Sequence, residues 1–260
     1  MQALWQNVLI TGASSGLGRA LAEACAAPGV VLHLSGRDAT RLEEAAAACR
    51  ATGAAVLPRC MDGCAAEAMA GWIRGAGRLY LVIANAGISA GTGGVTEPTS
   101  QTRLLFETNV TGVLNTALHA LEVMAALTPG ADGLRGRIAV VSSVAAFVAA
   151  PGAPTYCATK SAVQRWAEAL DATERKRGIR MHAICPGYVR TPMIARNKFP
   201  MPFLMDADEA ARRTLAGLAR GKTRIAYPWP TTMLARFAGA LPISWRAAIF
   251  SRLPAKDGNI

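Results

Sequence analysis

Charge and aromatics are both scarce in this chain: 17% of its residues are Asp, Glu, Lys or Arg, and 6% are Phe, Trp or Tyr. Since 52% are hydrophobic, the low charge excludes a disordered chain and leaves material for a sizeable core. Long apolar runs are missing too. None reaches the ~18 uninterrupted residues that suggest a membrane-spanning helix. No charged region followed by an apolar stretch and a small-residue cleavage site precedes the first strand-like segment, so no signal peptide is expected and the cytoplasm is the expected compartment. Histidine is nearly absent, with His33, His119 and His182 isolated from one another. The six cysteines (Cys25, Cys49, Cys60, Cys64, Cys157 and Cys185) have no paired rhythm, and the spacing of Cys60 and Cys64 is not that of a zinc knuckle. No metal site is expected.

Acidic residues are the last shortage. They number 17 against 28 Lys and Arg, a formal charge of +11. From Arg190 onward there are twelve basic and four acidic residues, so +8 of the surplus falls there. Nucleic acid is one partner for such a surplus. These charges are dispersed, however, without the aromatic interleaving of a single-strand binder. Nucleic acid is therefore not expected; solvated faces, cofactor phosphates or an anionic membrane surface are better candidates.

What is present is alternation. Strand-like apolar runs at Asn7–Thr11, 30–35, Ala55–Cys60, 79–84, 137–142, 180–185 and Arg224–Tyr227 alternate with helical stretches at 18–27, 39–52, 102–127, 155–177 and 207–220. Near-continuous apolar strands suit a parallel sheet buried on both faces. The expected fold is α/β, a Rossmann-like doubly wound parallel sheet of about seven strands with helices on both faces. Without a long linker or internal repeat, residues 1–260 read as one domain.

Three motifs carry chemistry. Thr11-Gly12-Ala13-Ser14-Ser15-Gly16-Leu17-Gly18 lies between the first strand and the first helix. Glycines there permit a tight turn and close approach to a pyrophosphate, while the helix N-terminus offers free N–H groups to phosphates. A plain tight turn is the competing reading. The second strand ends Ser35-Gly36-Arg37, where NAD enzymes commonly place an acid on the ribose 2′-hydroxyl. Arg37 beside Gly36 suits a 2′-phosphate instead; a solvated Arg opening the next helix is the alternative. Third, Tyr156 and Lys160 share one face of a helix, so a cation can favour the phenolate. Ser143 follows the fifth strand and Asn85-Ala86-Gly87 the fourth, at the carboxyl rim where open α/β sheets bind ligands. Asn109 falls inside a helix.

Together with Pro186-Gly187, these residues resemble the short-chain dehydrogenase/reductase superfamily in its single-domain, NADP(H)-dependent form. The likeness runs from about Asn7 to Thr191, with motifs in family order and spacing. Two positions depart from it: Ala84 replaces a first Asn, and Gly63 follows Asp62 in place of a small apolar residue. The resemblance implies hydride transfer between NADP(H) and a carbonyl or secondary alcohol carbon. Tyr156 would be the acid/base and Ser143 the hydrogen-bond donor to the reacting oxygen. Lys160 would lower the phenol pKa and hold the ribose hydroxyls, and Asn109 would position a linking water. Gly12, Ser14, Ser15, Gly16, Leu17, Gly18, Arg37, Asn85, Ala86, Gly87, Tyr156, Lys160 and Pro186 would hold the cofactor, with Asp62 at the adenine and Gly187, Val189 and Thr191 at the carboxamide. A non-catalytic NADPH-binding sensor on the same fold is the alternative, although it would be expected to have lost Tyr156 or Lys160.

Residues 192–222, rich in Met and Phe near their start, are expected to cover an apolar substrate; ordinary loop packing explains that composition equally. Ala145, Phe147 and Val148 extend the apolar wall in the same reading. Met233, Leu234, Phe237 and Leu241, then Trp245, Ile249, Phe250 and Leu253, recur at helical spacing over 228–253, with Arg236 and Arg252 at the flanks. A basic amphipathic tail could rest on a membrane, but Arg246 interrupts the stripe and favours packing on the same or a partner subunit. Val163, Trp166 and Leu170 on the Tyr156 helix point to a homodimer or homotetramer.

Overall fold

The computed structural model describes residues 5–195, 197, 199–250, 256 and 258, apart from the side chains of Ala247, Ile249 and Phe250. Seven parallel strands form one sheet in the order β3-β2-β1-β4-β5-β6-β7. They are β1 (Asn7–Thr11), β2 (Val31–Gly36), β3 (Ala55–Cys60), β4 (Leu81–Ala84), β5 (Gly136–Val141), β6 (Ile179–Pro186) and β7 (Arg224–Tyr227). The order reverses direction between β1 and β4. Their carboxyl ends, Thr11 and Ala84, diverge there into opposite crossovers and leave a crevice.

Strand periodicity builds two cores. On one face Val8, Ile10, Leu32, Leu34, Leu81 and Ile83 pack with α1 (Gly16–Cys25), α2 (Ala39–Arg50) and α7 (Ala207–Ala219). On the other, Leu9, Val82, Ile138 and Val140 meet α3 (Ala66–Gly75), α5 (Gly112–Ala125) and α6 (Pro154–Glu174). Most of these strand residues are fully buried, each worth roughly 1.5–3 kcal/mol.

Four local differences from the sequence expectation have physical causes. The helix expected from Thr102 begins at Thr99, as α4 (Thr99–Phe106), behind Pro98 at its N-cap. It then widens into a π turn over Glu107–Thr111 before continuing as α5. Helix α3 was not anticipated, although Met69, Ala70, Trp72 and Ile73 bury a helical stripe. Within the expected cover, α7 is a core helix: Ala210, Ala211 and Leu218 are fully buried and it packs on α1. The segment before α7 is tied to the rim by a bridge between Val189 and Met205; Arg196 and Lys198 fall outside the described residues.

The C-terminal stretch forms α8 (Trp229–Ala240) and α9 (Ile243–Phe250). Helix α8 packs on the turn at Val144–Phe147, close enough that a Cβ on Gly239 would overlap the Phe147 carbonyl. Arg252 and Leu253 lie outside the described residues. Among those described, no helix is long and apolar enough to cross a membrane.

Candidate active site

A cleft of about 360 Å3 opens at the crevice between β1 and β4 and follows the carboxyl rim. It begins at Arg37 and Asp62, passes the turn from Gly12 to Gly18, and continues along Asn85, Ala86 and Gly87. It ends at Ser143, Tyr156, Lys160, Pro186, Gly187, Val189 and Thr191. Every residue expected at the cofactor therefore lines one cavity. Asn109 does not; it is fully buried behind the wall.

The glycine turn is as tight as its sequence suggests. Gly12 adopts φ 67°, and a Cβ there would stand 2.8 Å from Ala86 Cα. A Cβ on Gly18 would fall 2.2 Å from the Gly12 carbonyl oxygen, so only glycine lets α1 start this close to β1. Asn85 locks the turn to the end of β4, its Nδ2 donating to the Thr11 and Gly12 carbonyls at 3.0 Å each. Ser15, at the N-cap of α1, makes no side-chain capping bond, and the first turn holds no acid. Those N–H groups and the positive end of the helix dipole face the cleft, where an anionic pyrophosphate fits.

At the far end of the crevice Arg37 is exposed beside Arg41, a second guanidinium that the sequence reading passed over. Asp38 is next to both, but its carboxylate is committed: it caps α2 by accepting from Arg41 N–H at 3.0 Å and pairs with Arg41 Nε at 3.3 Å. A Cβ at Gly36 would press on the Ser14 side chain at 3.0 Å, so Ser14 would have to give by a few tenths of an ångström. Asp62 Oδ1 accepts from Cys64 N–H at 2.9 Å.

Tyr156 and Lys160 are one turn apart at the start of α6, with Lys160 Nζ 5.9 Å from the phenol ring centroid. Lys160 is buried, and its ammonium donates to the Val141 carbonyl at 2.9 Å, fixing it to the end of β5. Burial lowers its pKa to about 8. Desolvation raises the pKa of the phenol, and the nearby Ser143 and Ser89 hydroxyls, which favour ionisation, only partly oppose it. Tyr156 thus stays protonated at neutral pH. Ser143 Oγ also accepts from Ala145 N–H at 3.1 Å, fixing the hydroxyl's position.

The π turn explains where Asn109 goes. It turns the side chain toward Ile88, whose N–H donates to Oδ1 at 2.8 Å and whose carbonyl accepts from Nδ2 at 2.9 Å. Asn109 Oδ1 and Lys160 Nζ both border Gly87: a Cβ there would lie 3.1 Å from one and 3.3 Å from the other.

Ile88, Ala90 and Leu105 form a small apolar cluster against Tyr156, and Met193 and Ile194 border the cleft. Phe147, expected on the apolar wall, packs against the second core under the Arg224 guanidinium, 5.4 Å from its ring. Two polar neighbours of Tyr156 escaped the sequence reading. Ser89 lies two residues past the Asn-Ala-Gly motif, which is its one local signal; Lys256 arrives from the far end of the chain without any.

The sequence profile described as short chain dehydrogenase matches residues 6–200. The chain is 36% identical to an uncharacterized oxidoreductase of Myxococcus xanthus, over 92% of this chain and 93% of that protein. It is 31% identical to the cis-4-hydroxycyclohexanecarboxylate dehydrogenase of Sinomonas cyclohexanicum, covering 82% and 83% of the two chains. Among solved structures it is similar to a short-chain dehydrogenase from Sphingobium yanoikuyae in complex with NADPH. That likeness has a TM-score of 0.77 and 28% identity, over 95% of this chain and 93% of the other.

Proposed function

The chain belongs to the short-chain dehydrogenase family, oxidoreductases acting on CH–OH and C=O groups, and from that premise we propose that it interconverts a carbonyl and a secondary alcohol on a predominantly apolar substrate, with NADP(H) as cofactor. One observation carries the reading. A protonated phenol, Tyr156, close to Ser143 and adjoining a buried ammonium, stands at the end of the cleft that the glycine turn borders. The NADPH of the Sphingobium structure supports the cofactor, and the alcohol named for the Sinomonas enzyme supports the reaction class.

A bound reduced nicotinamide supplies the hydride in the reductive direction. Tyr156 gives its phenolic proton to the substrate oxygen, a task its raised pKa suits, and recovers a proton from it in oxidation. Ser143 Oγ hydrogen-bonds that oxygen where negative charge develops. Lys160 holds the ribose hydroxyls and, while charged, favours the phenolate needed for oxidation. Asn109 orients a water toward Lys160. Arg37 takes the 2′-phosphate with charge-assisted hydrogen bonds, Arg41 assisting from the next helical turn. Asp62 borders the adenine, and Gly187, Val189 and Thr191 the carboxamide. The proposed assembly is a homodimer or homotetramer through α6 and its neighbours; exposed Leu104, Phe106 and Leu118 on α4 and α5 supply apolar surface. The proposed compartment is the cytoplasm.

The test is NADPH oxidation against aliphatic, aromatic, steroid and acyl carbonyls. On a substrate so found, Tyr156→Phe should lower turnover by ~100-fold or more while NADPH still binds. Near wild-type turnover in that variant would remove Tyr156 from the chemistry. NADPH binding with no turnover on any carbonyl would favour the sensor.

A further inference from the structure

Lys256 reaches Tyr156 from the end of the chain. Its Nζ donates to Ser89 Oγ and stands 4.7 Å from the centroid of the Tyr156 ring. Ser89 also neighbours the phenol, whose ionisation its hydroxyl favours, so ammonium, serine hydroxyl and phenol are grouped at one place. The backbone of Lys256 is held as well. Gly93 N–H donates to its carbonyl at 2.8 Å, and a Cβ on Gly91 would lie 2.5 Å from Lys256 Cβ. Glycine at 91 makes room for it.

Two ammonium groups thus converge on one phenol, because Lys160 Nζ lies 5.9 Å from the same centroid. The charge of Lys256 helps to depress the pKa of Lys160, and burial brings Lys256 itself to about 8. Among the described residues no carboxylate offsets either one. An ammonium carries three donors, of which the Ser89 hydroxyl takes one. An unpaired cation in a partly dry site is costly, and an incoming anion would relieve that cost. The cofactor's phosphates are not that anion. Their end of the cleft is bordered by Arg37 and the glycine turn, and Lys256 does not line that cleft at all. It stands on the side of Tyr156 where Ser89 lies, and Tyr156 itself packs against the apolar cluster of Ile88, Ala90 and Leu105.

We propose that Lys256 Nζ and Ser89 Oγ form an anion subsite next to the Tyr156 phenol, and that it takes a carboxylate of the substrate. The substrate class is then oxo-acids and hydroxy-acids with an apolar body. This assignment rests on the reading of Tyr156 as the group that meets the reacting oxygen.

The subsite is tested by calorimetry on the full chain, with and without NADPH, using cyclohexanecarboxylate and cyclohexanecarboxamide as a matched pair. Wild type should bind the carboxylate about ten- to a hundred-fold more tightly, as expected for a hydrogen bond to a charged group. Lys256→Gln should abolish that preference and Lys256→Arg should retain it. Equal affinities in wild type, or a preference that survives in Lys256→Gln, would overturn the subsite. Kinetics with 4-oxocyclohexanecarboxylate and its methyl ester give a second measure. Lys256→Gln should raise KM for the acid relative to that for the ester by a similar factor, an effect on KM larger than any on kcat. A fall in kcat on both ketones with a displaced pH profile would instead make Lys256 a tuner of the phenol and refute the subsite. A wild type that prefers the carboxylate in calorimetry yet turns over no carbonyl of the screen above would remove the hydride-transfer reading and leave anion binding by Lys256 and Ser89 standing.

Discussion

The cleft up to Thr191 and the C-terminal stretch that begins at Trp229 follow opposite rules of construction. In the first, positions are set by backbone: Gly12 and Gly18 admit close approach, and the Asn85 amide joins the turn to β4. Lys160 is anchored on a strand carbonyl. In the second, large apolar side chains stand in the open, with Trp229 at 72% exposure, Phe237 at 67%, Ile243 at 77% and Trp245 at 63%. Yet that stretch delivers Lys256 to Tyr156. The contrast separates what a cofactor demands from what a substrate demands. A dinucleotide presents the same phosphates and ribose each time, and contiguous backbone motifs serve it. A substrate is met by side chains from distant parts of the chain.

The largest predicted effect lies beneath the first of these regions, in the helix that carries Tyr156. Asp171, near the end of α6, is fully buried and accepts from Arg180 Nε at 3.0 Å, Met181 N–H at 3.0 Å and Thr223 Oγ1 at 2.7 Å, and also from Arg175. It therefore holds the start of β6 and the approach to β7 against the helix that carries Tyr156. Hydrogen bonds from Arg180, Thr223 and Arg175 outweigh its desolvation and hold its carboxyl well below the usual carboxylate range. Asp171→Asn should cost about 3–5 kcal/mol in denaturant unfolding at neutral pH, as breaking a buried ion pair does. The folded-state pKa is depressed, so this stabilisation is complete above the unfolded value of ~3.9 and is lost as pH falls through the folded one. The gap between wild type and variant should already narrow by about 1 kcal/mol at pH 3. A loss below about 1 kcal/mol at neutral pH would mean that the C-terminal strands are held by packing alone.

A smaller effect tests the cofactor side. Wild type should bind NADPH about ten- to a hundred-fold more tightly than NADH, the worth of a hydrogen bond between charged partners. Arg37→Gln should erase most of that preference. Arg41→Gln should reduce it less, because Arg41 is already shared with Asp38. Titration of both reduced cofactors decides the matter. Arg37 is the better target than Gly36, where any side chain disturbs Ser14 and so confounds phosphate recognition with damage to the turn. Equal wild-type affinities would end the NADP assignment and leave the family untouched.

The same contrast explains what could be read from sequence. Strand alternation and the glycine turn were legible because burial and backbone geometry act over a few adjacent residues. Tyr156 and Lys160 were legible as helical neighbours. The π turn was not, since its cause is tertiary: Asn109 bonds the backbone of Ile88, 21 residues earlier. Helix α7 was legible as a helix, but its place in the core was not, because its packing on α1 is a tertiary contact. Ser89 and Lys256 are 167 positions apart, and no periodicity connects them.

The smallest predicted effect concerns the exposed apolar face of α8 and α9. Phe237 and Trp245 are more than half exposed, so replacing either by Gln removes little buried area within the subunit. Each substitution should therefore change the unfolding free energy by less than about 0.5 kcal/mol, the range for surface positions. NADPH affinity should be unchanged, because neither residue borders the cleft. Thermal melts at two protein concentrations check this. If a partner subunit covers the face, the wild-type Tm rises with concentration and the Gln variants lose that dependence, since burial is then supplied by mass action. Concentration-independent melts in wild type and variants alike would leave the face to solvent and place any subunit contact on α6 and its neighbours.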